Sequence, residues 1–141
     1  MKVLWIEDYK NYIAEFNRWH ARSVYFTDPA GNIVELIARF DLKDNIPEHF
    51  SSSQIRNISE IGLVFKSEVF DETVIKLTQQ FRLGYFSKQP PMPHFKAIGD
   101  DEGLFIIVPE QRNWYPTNIQ SGVFALSILF ENNNTQYHLQ L

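Results

Sequence analysis

Apolar and polar positions alternate in short blocks along most of the chain, which is the pattern of strands. Val3, Leu4, Trp5 and Ile6 place a strand over residues 2–7. Residues 8–22 mix polar side chains with Tyr9, Tyr12, Phe16 and Trp19 and read as a loop or extended arm. Strand formers return at Ser23–Thr27, stop at Asp28-Pro29-Ala30-Gly31-Asn32, and resume over Ile33–Ala38. Proline presets one φ and glycine admits a positive one, so the five intervening residues predict a turn and the whole a hairpin. The period changes once. Phe70, Val74, Leu77 and Phe81 fall at i, i+4, i+7 and i+11, a single stripe that predicts a helix over residues 68–83. Ser67 is positioned to cap it, Glu68, Asp71 and Glu72 suit the positive end of its dipole, Arg82 suits the negative end, and Gly84 suits the residue just past the end. Around it, strands are predicted over Ile58–Phe65, Phe95–Ile98, Leu104–Val108, Val123–Phe130 and Tyr137–Leu141, with turns at residues 99–103 and 132–134.

The order of these elements predicts an α+β fold in two parts. Residues 1–39 give three strands. Residues 40–57 are polar and serine-rich, a linker. Residues 58–141 give a strand, a helix and three further strands. If the parts are copies of one βαβββ unit, the first lacks its leading strand and helix. The strands that remain would present an open edge and an uncovered apolar face, which predicts a homodimer.

Composition narrows the function classes. Hydrophobic residues make up 44% of the 141 and charged residues 21%, ordinary usage for a folded chain. There are no cysteines, which removes disulfides, thiolate catalysis, Cys-ligated zinc and iron–sulfur clusters. The formal charge of −4 offers no basic field for nucleic acid or an anionic membrane. No apolar run approaches the roughly 18 residues of a membrane span. The opening Met1–Ile6 turns acidic at Glu7-Asp8 without the features of a signal peptide, so a soluble cytoplasmic protein is expected.

The hairpin carries a resemblance. Ser23–Ala38 has an aromatic strand, Asp28-Pro29-Ala30-Gly31-Asn32, the apolar pair Ile33-Val34, then Glu35-Leu36. This resembles the vicinal oxygen chelate superfamily, which contains glyoxalases, extradiol dioxygenases and bleomycin- and fosfomycin-resistance proteins. Ile58–Phe65 is similar to the strand that opens a module of that group, and Val108–Pro116 to a late loop in some glyoxalase-like members. The resemblance implies paired βαβββ modules whose curved mixed sheet surrounds a cleft, the first module truncated here. In metal-using members the cleft holds a divalent ion, bound through His or Gln and then Glu on the first and last strands of each module. There the ion is a Lewis acid for chelating substrate oxygens.

Carried over residue by residue, the resemblance makes Glu35 the last-strand glutamate, a metal ligand or general base. Period 2 supports something unusual there independently, because Glu35 shares a strand face with Ile33 and Ile37, and a buried unpaired carboxylate is costly. An ion pair or a wet cleft edge is the alternative. Glu60 stands where metal-using relatives place histidine. With carboxylates and no imidazole, such a site would favour Mn, Mg or Ca over Zn or Ni. The strand for a third ligand is absent, and Phe124–Phe130 offers only Ser127 as a polar centre. His20, His49, His94 and His138 are scattered, without ligand spacing. Tyr25, His94, Arg112, Trp114 and Tyr115 are candidate ligand contacts, the last three through charge and stacking. Asp100-Asp101-Glu102 reads as a solvated turn.

Two functions are therefore expected as alternatives. One is a glyoxalase-like protein with a metal-poor cleft for a small ligand and an unassigned or lost activity. The other is a divalent-metal-dependent lyase, isomerase or dioxygenase acting on a small oxygen-chelating substrate, its site completed by a partner chain. The sequence fixes no cofactor, and one divalent metal ion is the candidate.

Overall fold

The computed structural model describes residues 2–43 and 51–141; residues 44–50 of the expected linker, His49 among them, lie outside the described residues. The fold is α+β, mostly strands, with one α-helix among the described residues. Contacts divide the chain into two compact units. The first is Met1–Asn57 with Tyr115–Asn118, and the second is Ile58–Trp114 with Ile119–Leu141.

In the first unit, β1 (Lys2–Val3), β2 (Ala14–Phe16), β3 (Ala21–Thr27) and β4 (Ile33–Arg39) form an antiparallel sheet. β1 and β2 share one edge of β3, and β4 takes the other. The expected strand over residues 2–7 is shorter, because Glu7–Tyr9 form a 3-10 turn and Ile6 makes only an isolated bridge to Asn11. Residues 8–22 are not an open arm: they contain β2 and the start of β3. Ala14 and Phe16 face inward there, while Glu15 faces outward and pairs with Arg22 at 2.9 Å. The β3–β4 turn is built by Asp28, whose Oδ1 accepts from the backbone N–H of Ala30 at 2.9 Å and of Asn32 at 2.8 Å. Gly31 takes φ 89°, which no β-carbon favours. Ile6, Ala14 and Tyr25 form the buried centre of this unit, with Leu4, Phe16, Ile33 and Tyr115 packed on it.

In the second unit, β5 (Glu60–Phe65) runs parallel to β7 (Leu104–Pro109), and β6 (Lys96–Gly99) pairs antiparallel with β7. β8 (Ser127–Asn132) and β9 (Thr135–Gln140) make a separate two-stranded sheet. The helix α1 spans Phe70–Phe81, and its predicted stripe is buried against Leu63, Phe65, Ile98, Phe105 and Ile107, with Ile128 and Leu139. Its ends differ from expectation. Ser67 opens a 3-10 turn, Ser67–Val69, so the N-cap is Val69 and no side chain caps it. At the other end Arg82, not Gly84, takes the left-handed conformation at φ 54°. The last hairpin is tighter than expected: Asn132 pairs with Thr135, and Asn133 and Asn134 both have positive φ, which suits the twist of adjacent strands. Of the expected strand Val123–Phe130, residues 123–126 stay outside β8. Among the described residues no helix is long and apolar enough to cross a membrane.

Candidate functional site

The β3–β4 ladder assembles a polar cluster in the first unit. Tyr25 lies opposite Glu35, Ser23 opposite Ile37, and Ala21 opposite Arg39. Residues directly opposite in an antiparallel pair project from the same side, so Ser23, Tyr25, Glu35 and Arg39 share one face. It is the face that carries Ile6, Ala14 and Phe16. Ser23 and Tyr25 are buried, Arg39 is only 9% exposed, and Glu35 is half-buried.

Burial among these apolar neighbours pushes the Glu35 carboxyl above the ordinary carboxylate range, while the Ser23 and Tyr25 hydroxyls and the Arg39 charge pull it part of the way back. A carboxyl held up in this way holds its proton more tightly than a solvent-exposed one and is a better proton donor for it. The Arg39 guanidinium lies 5.8 Å from the centre of the Trp19 ring, a cation–π contact that helps to hold it in place.

Tyr115 completes the cluster from a distant part of the sequence. Its ring meets Tyr25 edge-on at 5.6 Å and Phe16 at 6.1 Å. Its hydroxyl is buried and has no hydrogen-bond partner among the described residues. Desolvation pushes this phenol up to about 12, with help from the negative fields of Tyr9, Asp8 and Glu35. It therefore stays protonated, a donor.

The donors around Glu35 do not fit a divalent ion. They are one carboxylate, neutral hydroxyls, which are weak ligands, and a guanidinium, which repels a second cation. Among the described residues no three His, Asp or Glu side chains converge on one point.

The other candidates belong to the second unit. Glu60 opens β5 opposite Leu104, half-buried, on the side of the sheet that carries Gly62 and Val64 and not on the helix side. The Trp114 indole lies against that side: a β-carbon on Gly62 would sit 2.7 Å from its Cη2. Arg112 stacks its guanidinium 5.2 Å over Phe95, and desolvation lowers its pKa. His94 is exposed in the tight turn between Met92 and Phe95. Within the first unit, then, the structure brings together Glu35, Tyr25 and Tyr115. His94, Arg112, Trp114 and Glu60 are carried by the second.

Ser23 and Arg39 were not singled out from the sequence, although both follow from period 2 once Tyr25 and Glu35 are placed. Ser121 is a further buried polar residue without a sequence signal. Its Oγ accepts from the Arg112 N–H at 3.1 Å and donates to the Pro109 carbonyl at 2.8 Å, which staples the loop carrying Arg112 and Trp114. On the opposite side of the first sheet lies a cleft of about 350 Å³ lined by Glu15, Asn17, His20, Arg22 and Phe40, among others. Its polar groups already have partners: Arg22 pairs with Glu15, and His20 Nδ1 lies 2.6 Å from Asp41 Oδ1. Compared with known proteins, the chain matches no family model and no curated relative.

Proposed function

We propose that the chain is a glyoxalase-like protein that binds a small ligand at the Glu35 face of its first unit, without a metal ion. One observation carries this: a half-buried carboxyl, raised by desolvation, on a strand face otherwise built of apolar and aromatic side chains and ringed by hydroxyls. An apolar residue of similar size would fill the position without the cost of desolvating a carboxylate. Raised carboxyls are characteristic of sites that bind or transfer protons. The hairpin motif around Glu35 and the strand–helix–strand order of residues 60–109 support the paired-module fold as part of the same proposal. A homodimer belongs to it as well, supported by the exposed Trp5, Tyr12 and Ile13 side chains of the first unit, and tested by light scattering at micromolar concentration.

The test is a ligand-observed NMR screen of small aromatic and carbonyl compounds against the full chain, before and after dialysis against a chelator. Hits that survive the chelator and weaken about tenfold in Glu35→Gln support the proposal. A screen without hits, or hits that need a divalent ion, overturns it.

A further inference from the structure

The Tyr115 hydroxyl indicates what kind of ligand the Glu35 face takes. A buried hydroxyl that no protein group satisfies is destabilising, because burial strips away the water that bonds to it in the unfolded chain. The ring cannot turn to relieve this without losing its edge contacts with Tyr25 and Phe16. The group is thus a fixed, protonated O–H, and the ligand atom that satisfies its proton is an acceptor. The charges nearby restrict that acceptor further. The groups whose fields raise the hydroxyl's pKa are Tyr9, Asp8 and Glu35, while Arg39, the cation on the same face, acts on Glu35. An anionic oxygen brought to Tyr115 would be opposed by the carboxylate fields of Asp8 and Glu35 that already act on this hydroxyl, whereas an uncharged carbonyl oxygen would not. The flanking surfaces are the aromatic rings of Tyr25, Phe16 and Tyr115 itself, which suit a planar group.

We infer that the ligand is an uncharged, planar carbonyl compound whose oxygen accepts a hydrogen bond from Tyr115 Oη. This rests on the Glu35 face being a ligand site, and it adds the acceptor, the absence of charge and the residue that reads both. Tyr115 is a binding residue here and is assigned no chemical step.

The inference makes a paired demand on Tyr115→Phe. Without ligand, the variant loses an unsatisfied buried hydroxyl and keeps its ring, so its melting temperature rises by about 3 °C. With ligand, it loses the donor, so affinity falls about tenfold. A structural tyrosine would not show opposite signs in the two measurements. The probes are acetophenone, ethylbenzene, which lacks the carbonyl, and benzoate, which is charged, each titrated into the full-length chain by NMR. Acetophenone is expected to bind at least about tenfold tighter than either of the others.

Equal binding of ethylbenzene or benzoate overturns the inference on the wild-type protein alone, whatever the variant does. Acetophenone bound equally well by wild type and Tyr115→Phe also overturns it, while leaving the Glu35 face a ligand site. If none of the three binds but other compounds in the screen do so in a Glu35-dependent way, the carbonyl class is wrong and the site stands. If nothing binds at all, both fail.

Discussion

Gly62→Ala tests whether Trp114 is part of the second unit's packing. The new β-carbon would lie 2.7 Å from Cη2, 3.2 Å from Cζ2 and 3.4 Å from Cζ3 of the indole. Ordinary carbon contacts lie at about 3.5–4.0 Å. The ring must therefore move by most of an ångström, or the strand must yield. Overpacking of this kind costs about 1–3 kcal/mol. Against it stands the gain from replacing a strand glycine, about 0.5–1 kcal/mol, because alanine has less backbone freedom to lose on folding. The net expectation is a loss of about 1–2 kcal/mol, or a drop of roughly 3–6 °C in melting temperature for a chain of this size. Urea denaturation followed by circular dichroism measures it, with tryptophan fluorescence as a local probe of the indole. Trp114→Ala removes the obstacle, so Gly62→Ala should cost nothing in that background, a coupling of at least about 1 kcal/mol. A Gly62→Ala variant that is as stable as wild type or more so, or that is equally destabilised with and without the indole, would refute the reasoning and leave Trp114 a loosely held surface ring.

Glu35 also predicts a pH dependence. Its folded-state pKa is raised, so the folded protein holds the proton more tightly than the unfolded chain does. The stability it contributes is present below the ordinary carboxylate range and is lost as pH rises through the raised value, so wild type should lose stability relative to Glu35→Gln across that window. Parallel pH profiles of melting temperature for the two proteins would contradict it. Gly99→Ala should be severely destabilising: φ is 123°, and the added β-carbon would lie 2.0 Å from the Gly103 carbonyl oxygen, so a loss of at least about 2 kcal/mol in urea denaturation is expected, and a neutral variant would contradict the turn geometry.

The second unit's core was legible because a helix stripe is a local signal. Four apolar residues at helical spacing have one way to be buried together, and Phe70, Val74, Leu77 and Phe81 are buried together. The hairpin was legible for the same reason, since Asp28-Pro29-Ala30-Gly31-Asn32 builds its own turn. What escaped was short or non-local. β2 is three residues long, Ala14, Glu15 and Phe16, and only Phe16 is a strand former, so propensity marks it weakly. Arg82 takes a left-handed conformation with Gly84 two residues away, and that choice depends on how the segment after the helix is held. The conflict at Glu35, a carboxylate on an apolar strand face, was visible from period 2 alone. Its companion Tyr115 lies eighty positions further along the chain, and only the fold reveals that its ring packs on Tyr25. The aromatic run Trp114-Tyr115 looked like one feature, yet the two neighbours serve different units.

That division between neighbours bears on how the protein can be dissected. The backbone enters the first unit at its start, leaves after Asn57, returns for Tyr115–Asn118 and leaves again. No single scission can separate the units intact. An expressed fragment of residues 1–57 would leave Tyr25 and Phe16 with the space of a missing ring between them. A fragment of residues 58–141 would carry four orphaned residues in the middle of a loop. Protein engineers who wish to transplant the first unit must supply the Tyr115 segment on a second peptide or splice it in by circular permutation.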